Sequence, residues 1–300
     1  MIPDGIILID KPAGMTSHGA VSRLRKLLGV RRIGHGGTLD PPASGLLVVL
    51  VGRATRLAPY LGGGTKVYAT TIRFGAATDT DDAAGETTAI GPVPALDLDE
   101  LAESRRRFLG DIEQVPPTIS AVHAGGERAW RVARRGRTVE LAPRTVSIHA
   151  IDLVRWAPPD LEVRVTCGGG TYVRSLARDW GASLGTVAHV ASLRRERSAP
   201  FDVSEAVTLA ELEGRDPSGR VEVIRPPGPA LTAAIGAAET LAVGAAQRFV
   251  HGGQPDGVPG PPGLRAVFTE DGAFVGVGEL RPDGTLCPRV VWPPSGERAP

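Results

Sequence analysis

The chain has 300 residues, 42% of them hydrophobic, with 34 basic against 33 acidic side chains and a formal charge of +1. That length fits one large domain or two unequal ones, and so even a balance excludes a global basic field as the means of holding nucleic acid. The two cysteines, Cys167 and Cys287, lie far apart without a CxxC pair, which argues against a disulfide framework or a zinc site.

Asp4, Asp10 and Lys11 interrupt the N-terminus where a secretory signal needs an unbroken apolar stretch, and no apolar run approaches the roughly 18 to 20 residues that span a bilayer. The expectation is a cytoplasmic protein with no membrane partner. GIILID (5–10) predicts a strand, and KPAGMTS a loop ending in a helix cap at Thr16 or Ser17. Val21, Leu24, Leu27 and Leu28 recur at helical spacing until Gly29.

GHGGTLDPPASGLL (34–47) then packs glycines and prolines around a single carboxylate, Asp40, just before LLVVLV, a continuous apolar run suited to a central strand covered on both faces. Read from its residues alone, Asp40 is either a turn or cap residue or a catalytic carboxylate fixed at the mouth of the core. ATRLAPYL predicts a short helix and KVYATTIRF a strand. TDTDDAAGE (78–86) reads as an exposed acidic loop, followed by a Pro-rich connector and a helix from about Asp97 to Leu109. ERAWRVARRG predicts a basic helix closed by Gly136, and residues 145–156 and 161–167 two strands joined at Pro158 and Pro159.

In GGGTYVRSLARDWGASL the glycines release the chain into a helix whose apolar side carries Val173, Leu176, Ala177, Trp180 and Leu184. Arg174 flanks that stripe in the first turn. HVASLRRERS predicts a further strand, RPPGPAL (225–231) a linker, and LRAVFTE, AFVGVGEL and TLCPRVV the strands of a small β-rich appendage turned at Asp–Gly pairs 271–272 and 283–284. Basic residues cluster before residue 61, at 128–137 and at Arg194, Arg195 and Arg197, and either share one face or lie on separate solvated faces. The six histidines show no metal-ligand spacing, so no metal is expected, and neither a GxSxG elbow nor a phosphate-binding P-loop is present.

Taken in order, GIILIDKPAGMTSHGAV, GHGGTLDPPASGLLVVLVGRATRL, KVYATTIRFGAATDTDDAAG, RRFLGDIEQVPPTISAV, GGGTYVRSLARDWG and AHVASLRR resemble the bacterial tRNA pseudouridine synthases of the TruB type. The resemblance covers residues 5 to 197. It implies an α+β fold: a mixed, largely antiparallel catalytic sheet with flanking helices over residues 1–226. Position after that domain and the short strand pattern suggest a small β-rich, PUA-like RNA-binding domain over 232–300. The implied activity is isomerisation of uridine-55 in the T-loop of tRNA to pseudouridine, with no cofactor. The implied partner is the tRNA T-arm, bound by a monomer that needs no guide RNA or protein partner.

By position in the matched motifs, Asp40 is the nucleophile, attacking either the uracil ring or the ribose carbon. Tyr68 stacks on the target base, and Arg174 pairs with the catalytic carboxylate. Leu193 lines the uracil pocket, His35 inserts among the T-loop bases, and Lys11 lies near the active centre as a substrate-binding residue. The chain departs from many relatives at Gly36, Ile119, His123 and Trp130, which implies a repacked second motif. A rival reading keeps the scaffold for binding or folding tRNA without catalysis, and another places it in a guide-RNA complex.

Overall fold

The computed structural model describes residues 2–120, 123–124, 127–128 and 141–293. Strand β1 (Gly5–Lys11) leads into helix α1 (Ser17–Leu28), which Thr16 caps by accepting the Gly19 N–H and Gly29 ends in the left-handed conformation, φ 65°. After β2 (Ile33–His35) and β3 (Ser44–Val51), the expected short helix is a 3-10 segment, Gly52–Leu57, running into one helical turn, α2 (Ala58–Leu61). β4 (Lys66–Phe74) is the KVYATTIRF strand, and β5 (Ala76–Thr78) and β6 (Thr87–Ile90) pair around the acidic loop.

Helix α3 (Leu98–Ser104) and a 3-10 turn precede β7 (Gly110–Gln114), then β8 (His123–Ala124) pairs with β9 (Glu127–Arg128). The basic segment expected as a helix is therefore a strand in its first two residues, and residues 129–136 lie outside the described ones. β10 (Arg144–Ala157) and β11 (Asp160–Cys167) form the predicted hairpin, and α4 (Val173–Ser183) the predicted helix. β12 (Ala188–Ser198), β13 (Phe201–Asp202), β14 (Val207–Thr208), α5 (Leu209–Gly214) and α6 (Pro217–Glu222) complete this half.

Its strands make one mixed sheet in the order β14-β1-β3-β12-β4-β11-β10-β7, with β2 added to β3 and β13 to β12. Only β14–β1 and β3–β12 pair in parallel, so the sheet is largely antiparallel, as expected. The β3–β12 junction joins two residues of each strand, Ser44 and Gly45 against Arg194 and Arg195. Glycine is required there: at φ 99° a Cβ on Gly45 would stand 2.3 Å from the Arg195 carbonyl oxygen. The interior of the sheet thus narrows to a two-residue pairing where the Asp40 loop enters β3.

The two strands before that junction serve two cores. Ile7, Ile9, Leu47, Val49 and Val51 pack into the larger core with α1 and α4, while Ile6, Leu8, Leu46, Val48 and Leu50 turn to the opposite face. That second face is covered by the C-terminal part of the chain through Leu231, Ala266, Val277 and Val290. The segment expected as a linker is mostly helix α7 (Pro227–Ile235), because prolines in a first turn preset φ and lack an N–H that would go unpaired there anyway. Beyond it, β15 (Ala238–Leu241) and α8 (Val243–Val250) precede the anticipated strands β16 (Gly263–Thr269), β17 (Phe274–Leu280) and β18 (Leu286–Val291), in a four-stranded sheet ordered β15-β16-β17-β18. Arg53 ties the two parts at the rim: its guanidinium pairs with Asp4, lies 4.9 Å from the Trp292 ring centroid, and donates to the Pro293 carbonyl. Among the described residues no helix is long and apolar enough to cross a membrane.

Candidate active site

The loop before β3 is pinned from three sides. Ser17, the alternative cap residue, instead accepts the Leu39 N–H at 2.8 Å and donates to the Leu39 carbonyl at 2.9 Å. Gly14 N–H reaches the Pro41 carbonyl, and Lys11 Nζ donates to the carbonyls of Ala43, Met15 and Pro12 at 2.5, 2.7 and 2.8 Å. From below, Arg195 donates to the carbonyls of Gly37, Thr38 and Leu46 at 3.1, 3.3 and 2.8 Å. The rigid corner is thus held by tertiary hydrogen bonds around Asp40 as well as by its own glycines and prolines.

Asp40 faces a cavity of about 270 Å³ lined also by Lys66, Tyr68, Tyr172, Arg174, Leu193 and Arg195. Its size lies near the lower end for small-ligand pockets, roughly 300 Å³. Arg174 extends from the first turn of α4, its side chain 4% exposed, and places Nε 3.0 Å from Asp40 Oδ2. The same Nε stands 3.7 Å from Asp82 Oδ2, with no hydrogen bond aligned to either carboxylate. The terminal nitrogens of Arg174 donate to the carbonyls of Thr80 and Ile119, which fixes the guanidinium between the two acids. Because Ile119 contributes only its backbone, its departure from the family pattern leaves that bond intact.

Charges 3 Å apart attract by about 5 kcal/mol at an effective dielectric of about 20, and loss of water offsets much of this. At Asp40 desolvation wins: it pushes the carboxyl above the ordinary carboxylate value, against the pull of Arg174, with Asp82 adding to the rise. Burial likewise pushes the Tyr68 phenol up, against the nearby Arg195. Lys11 falls to about 8, chiefly through burial, with Asp40 opposing and Arg195 assisting.

The structure therefore brings Asp40, Tyr68, Arg174 and Leu193 to one cavity. His35 and Lys11 do not line it. His35 is half-buried on β2, opposite Val49, with Nδ1 buried and without a partner among the described residues; burial, Arg195 and His18 hold its pKa down. Lys11 is fully buried, and its three ammonium hydrogens match the three carbonyls it meets. His123 and Trp130 carry side chains outside the described residues.

Three site residues were not singled out from the sequence. Asp82 is buried, not part of an exposed loop; it accepts from Thr80 Oγ1 and the Ala84 N–H, a geometry that the alternating TDTDD suits. Arg195 was grouped with Arg194 in a basic cluster, but alternation along β12 buries Arg195 under the cavity and sends Arg194 to Asp10. Lys66 lies two residues before Tyr68 on the same face of β4.

Comparison with known proteins follows this geometry. A family model described as the N-terminal domain of TruB family pseudouridylate synthase matches residues 25–173, and one described as the tRNA pseudouridylate synthase B C-terminal domain matches residues 174–226. The tRNA pseudouridine synthase B of Thermobifida fusca is 45% identical over 299 residues, covering 96% of this chain and 98% of the relative. That of Gloeobacter violaceus is also 45% identical, covering 97% and 99%. Among solved structures, a Cbf5-Nop10-Gar1 complex is similar with a TM-score of 0.71 and 26% identity, over 96% of this chain and 84% of that one. An H/ACA RNP bound to a substrate RNA containing 2'-deoxyuridine matches with the same TM-score and identity, over 97% and 86%.

Proposed function

The chain belongs to the TruB family of pseudouridylate synthases and is a tRNA pseudouridine synthase, and from that premise we propose that it isomerises uridine-55 of the T-loop with Asp40 as nucleophile. The observation that carries this assignment is the Asp40–Arg174 pair, 3.0 Å apart, at the wall of a cavity shared with Tyr68 and Leu193.

In this reading the target uridine leaves its stack, at a cost of a few kcal/mol, and enters the cavity. Tyr68 stacks on the uracil and Leu193 closes the pocket around it. Asp40 attacks as the carboxylate, at the ring or at the ribose carbon; the N1–C1′ bond breaks, the base turns, and a C5–C1′ bond forms. The bond to Asp40 breaks as the carboxylate is displaced from C1′ or eliminated from the ring, and the C5 proton passes to N1. Atoms balance with no oxidation or hydrolysis, so the step calls for no cofactor. Arg174 keeps Asp40 ionised and aimed. His35 supports the opened T-loop from the neighbouring strand, and Lys11 acts from beneath the loop by fixing Ala43 and adding positive charge near Asp40.

The T-arm is read through phosphates and exposed loop bases, so binding weakens as salt rises. The enzyme acts in the cytoplasm as a monomer, without guide RNA or protein partner. Residues 1–226 form the catalytic domain and 232–300 a PUA-like RNA-binding domain. The test is to incubate the purified protein, without added nucleotide or metal, with an unmodified tRNA transcript and map pseudouridine at single-nucleotide resolution beside Asp40→Asn. Conversion confined to the T-loop uridine and absent in the variant is the expected result. Conversion elsewhere, or persistence in the variant, overturns it.

A further inference from the structure

Only three of the 34 basic residues are lysines: Lys11, Lys26 and Lys66. Lys26 is exposed, whereas Lys11 is fully buried and Lys66 is 7% exposed, both beside the cleft. A chain that otherwise uses arginine has put compact ammonium charges at two places where a guanidinium fork would need more room.

The two buried lysines differ in their electrostatic surroundings. Lys11 meets three carbonyls and feels Asp40. Lys66 Nζ donates to the carbonyls of Gly62 and Gly64, at 2.8 and 3.0 Å, which accounts for two of its three hydrogens. No carboxylate among the described residues acts on it: its charged neighbour is the Arg195 guanidinium, of the same sign, and burial with that neighbour pulls its pKa below the usual lysine value. Arg195 too makes no ion pair among the described residues, although it is buried. Among the described residues these two cations on one wall of the cavity are met by carbonyl dipoles and, beside Lys66, by the Cys167 thiol, with no carboxylate paired to either. Burying a charge without a counterion opposes folding even where neutral carbonyls accept its hydrogens.

What the wall lacks is negative charge, and uracil is neutral. RNA carries that charge on each phosphodiester, and a lysine binds phosphate as a point charge. Lys66 lines the cavity together with Gly170 and Thr171, and the neighbouring Gly169 lies close enough that a Cβ there would make van der Waals contact with Nζ at 3.5 Å. We propose that Lys66 receives one of the two phosphodiesters flanking the target uridine, so that the RNA supplies the counterion this wall lacks. The inference rests on the reading of this cavity as the uridine pocket.

The test uses the full chain and tRNAs in which either flanking phosphodiester is replaced by a neutral methylphosphonate. At one position the replacement raises the wild-type KM about tenfold with kcat little changed, as expected for loss of one charge-assisted contact. Lys66→Gln loses about the same tenfold on natural tRNA and nothing further on that methylphosphonate tRNA. Losses that multiply at both positions, or no wild-type loss at either, overturn the proposal. Should Lys66→Gln not fold, lysine-labelled wild type gives three resolvable side chains: the Lys66 signal shifts with natural tRNA and not with the neutral analogue, and an equal response to both overturns it. Pseudouridine at the T-loop uridine is scored in the same wild-type samples. Its absence strikes the functional reading, whereas conversion without coupling strikes only the role of Lys66.

Discussion

β1 and β3 divide their side chains between two surroundings that could hardly differ more. On one side the same sheet carries Lys66, Tyr68 and Arg195 which, with Arg174 from α4, stand at low exposure around a cavity. On the reverse side Ile6, Leu8, Leu46, Val48 and Leu50 meet Leu231, Ala266, Val277 and Val290 in a seam without a buried charge. The seam gains from every apolar contact it makes, whereas the cleft holds polar groups whose burial opposes folding and is offset only by specific partners. Stability and turnover should therefore respond to substitution on opposite sides of the same strands.

The sharpest break is Asp40→Asn, expected to lower single-turnover conversion by about ten-thousandfold or more, with tRNA affinity and melting temperature nearly unchanged. A variant that converts tRNA within tenfold of wild type would remove Asp40 from the mechanism. Next comes Arg174→Ala, which strands Asp40 beside Asp82. Arg174 is buried but Asp40 is 34% exposed, so solvent screening brings the stability cost well below the ~3 to 5 kcal/mol of breaking a fully buried pair. Its pH profile sharpens the point: Asp40 must be ionised, its pKa already lies above the ordinary value, and Arg174 opposes that rise. Turnover in the wild type falls as pH falls through this raised pKa, and in the variant the acid limb moves to still higher pH. An acid limb that stays in place argues that Arg174 does not act on Asp40.

On the seam, Leu231→Ala should cost about 2 to 5 kcal/mol by chemical denaturation while kcat below the melting transition stays within about twofold. A large kcat loss with unchanged stability would show that the two sides are not separable. The smallest effect is expected for Trp292→Ala, which removes the ring beside Arg53 at the rim and should cost about 1 kcal/mol without changing KM for tRNA.

How much of this could be read in the chain follows the range of the forces involved. The strands, α1 with its Gly29 stop, and the Asp–Gly turns are set within a few residues, and they stand in the structure as expected. Asp40 was visible because so much turn chemistry surrounds one carboxylate, and Arg174 because a charge flanks an apolar helical stripe. From its residues alone Asp40 reads equally as a turn, and only the resemblance favours the proposed nucleophile. Asp82, Arg195 and Lys66 were not visible, because what distinguishes each from a solvated charge is burial against segments distant in sequence. The helix over 227–235 was hidden by prolines that read as a break, although at a first turn they favour helix.

The seam also has a consequence in time. A ribosome releases β1 and β3 early, while Leu231, Ala266, Val277 and Val290 emerge last. At ~5 to 20 residues per second the bare apolar side of those strands waits roughly ten to fifty seconds for its cover. Throughout that interval the apolar side of β1 and β3 lacks the partners that cover it in the folded chain.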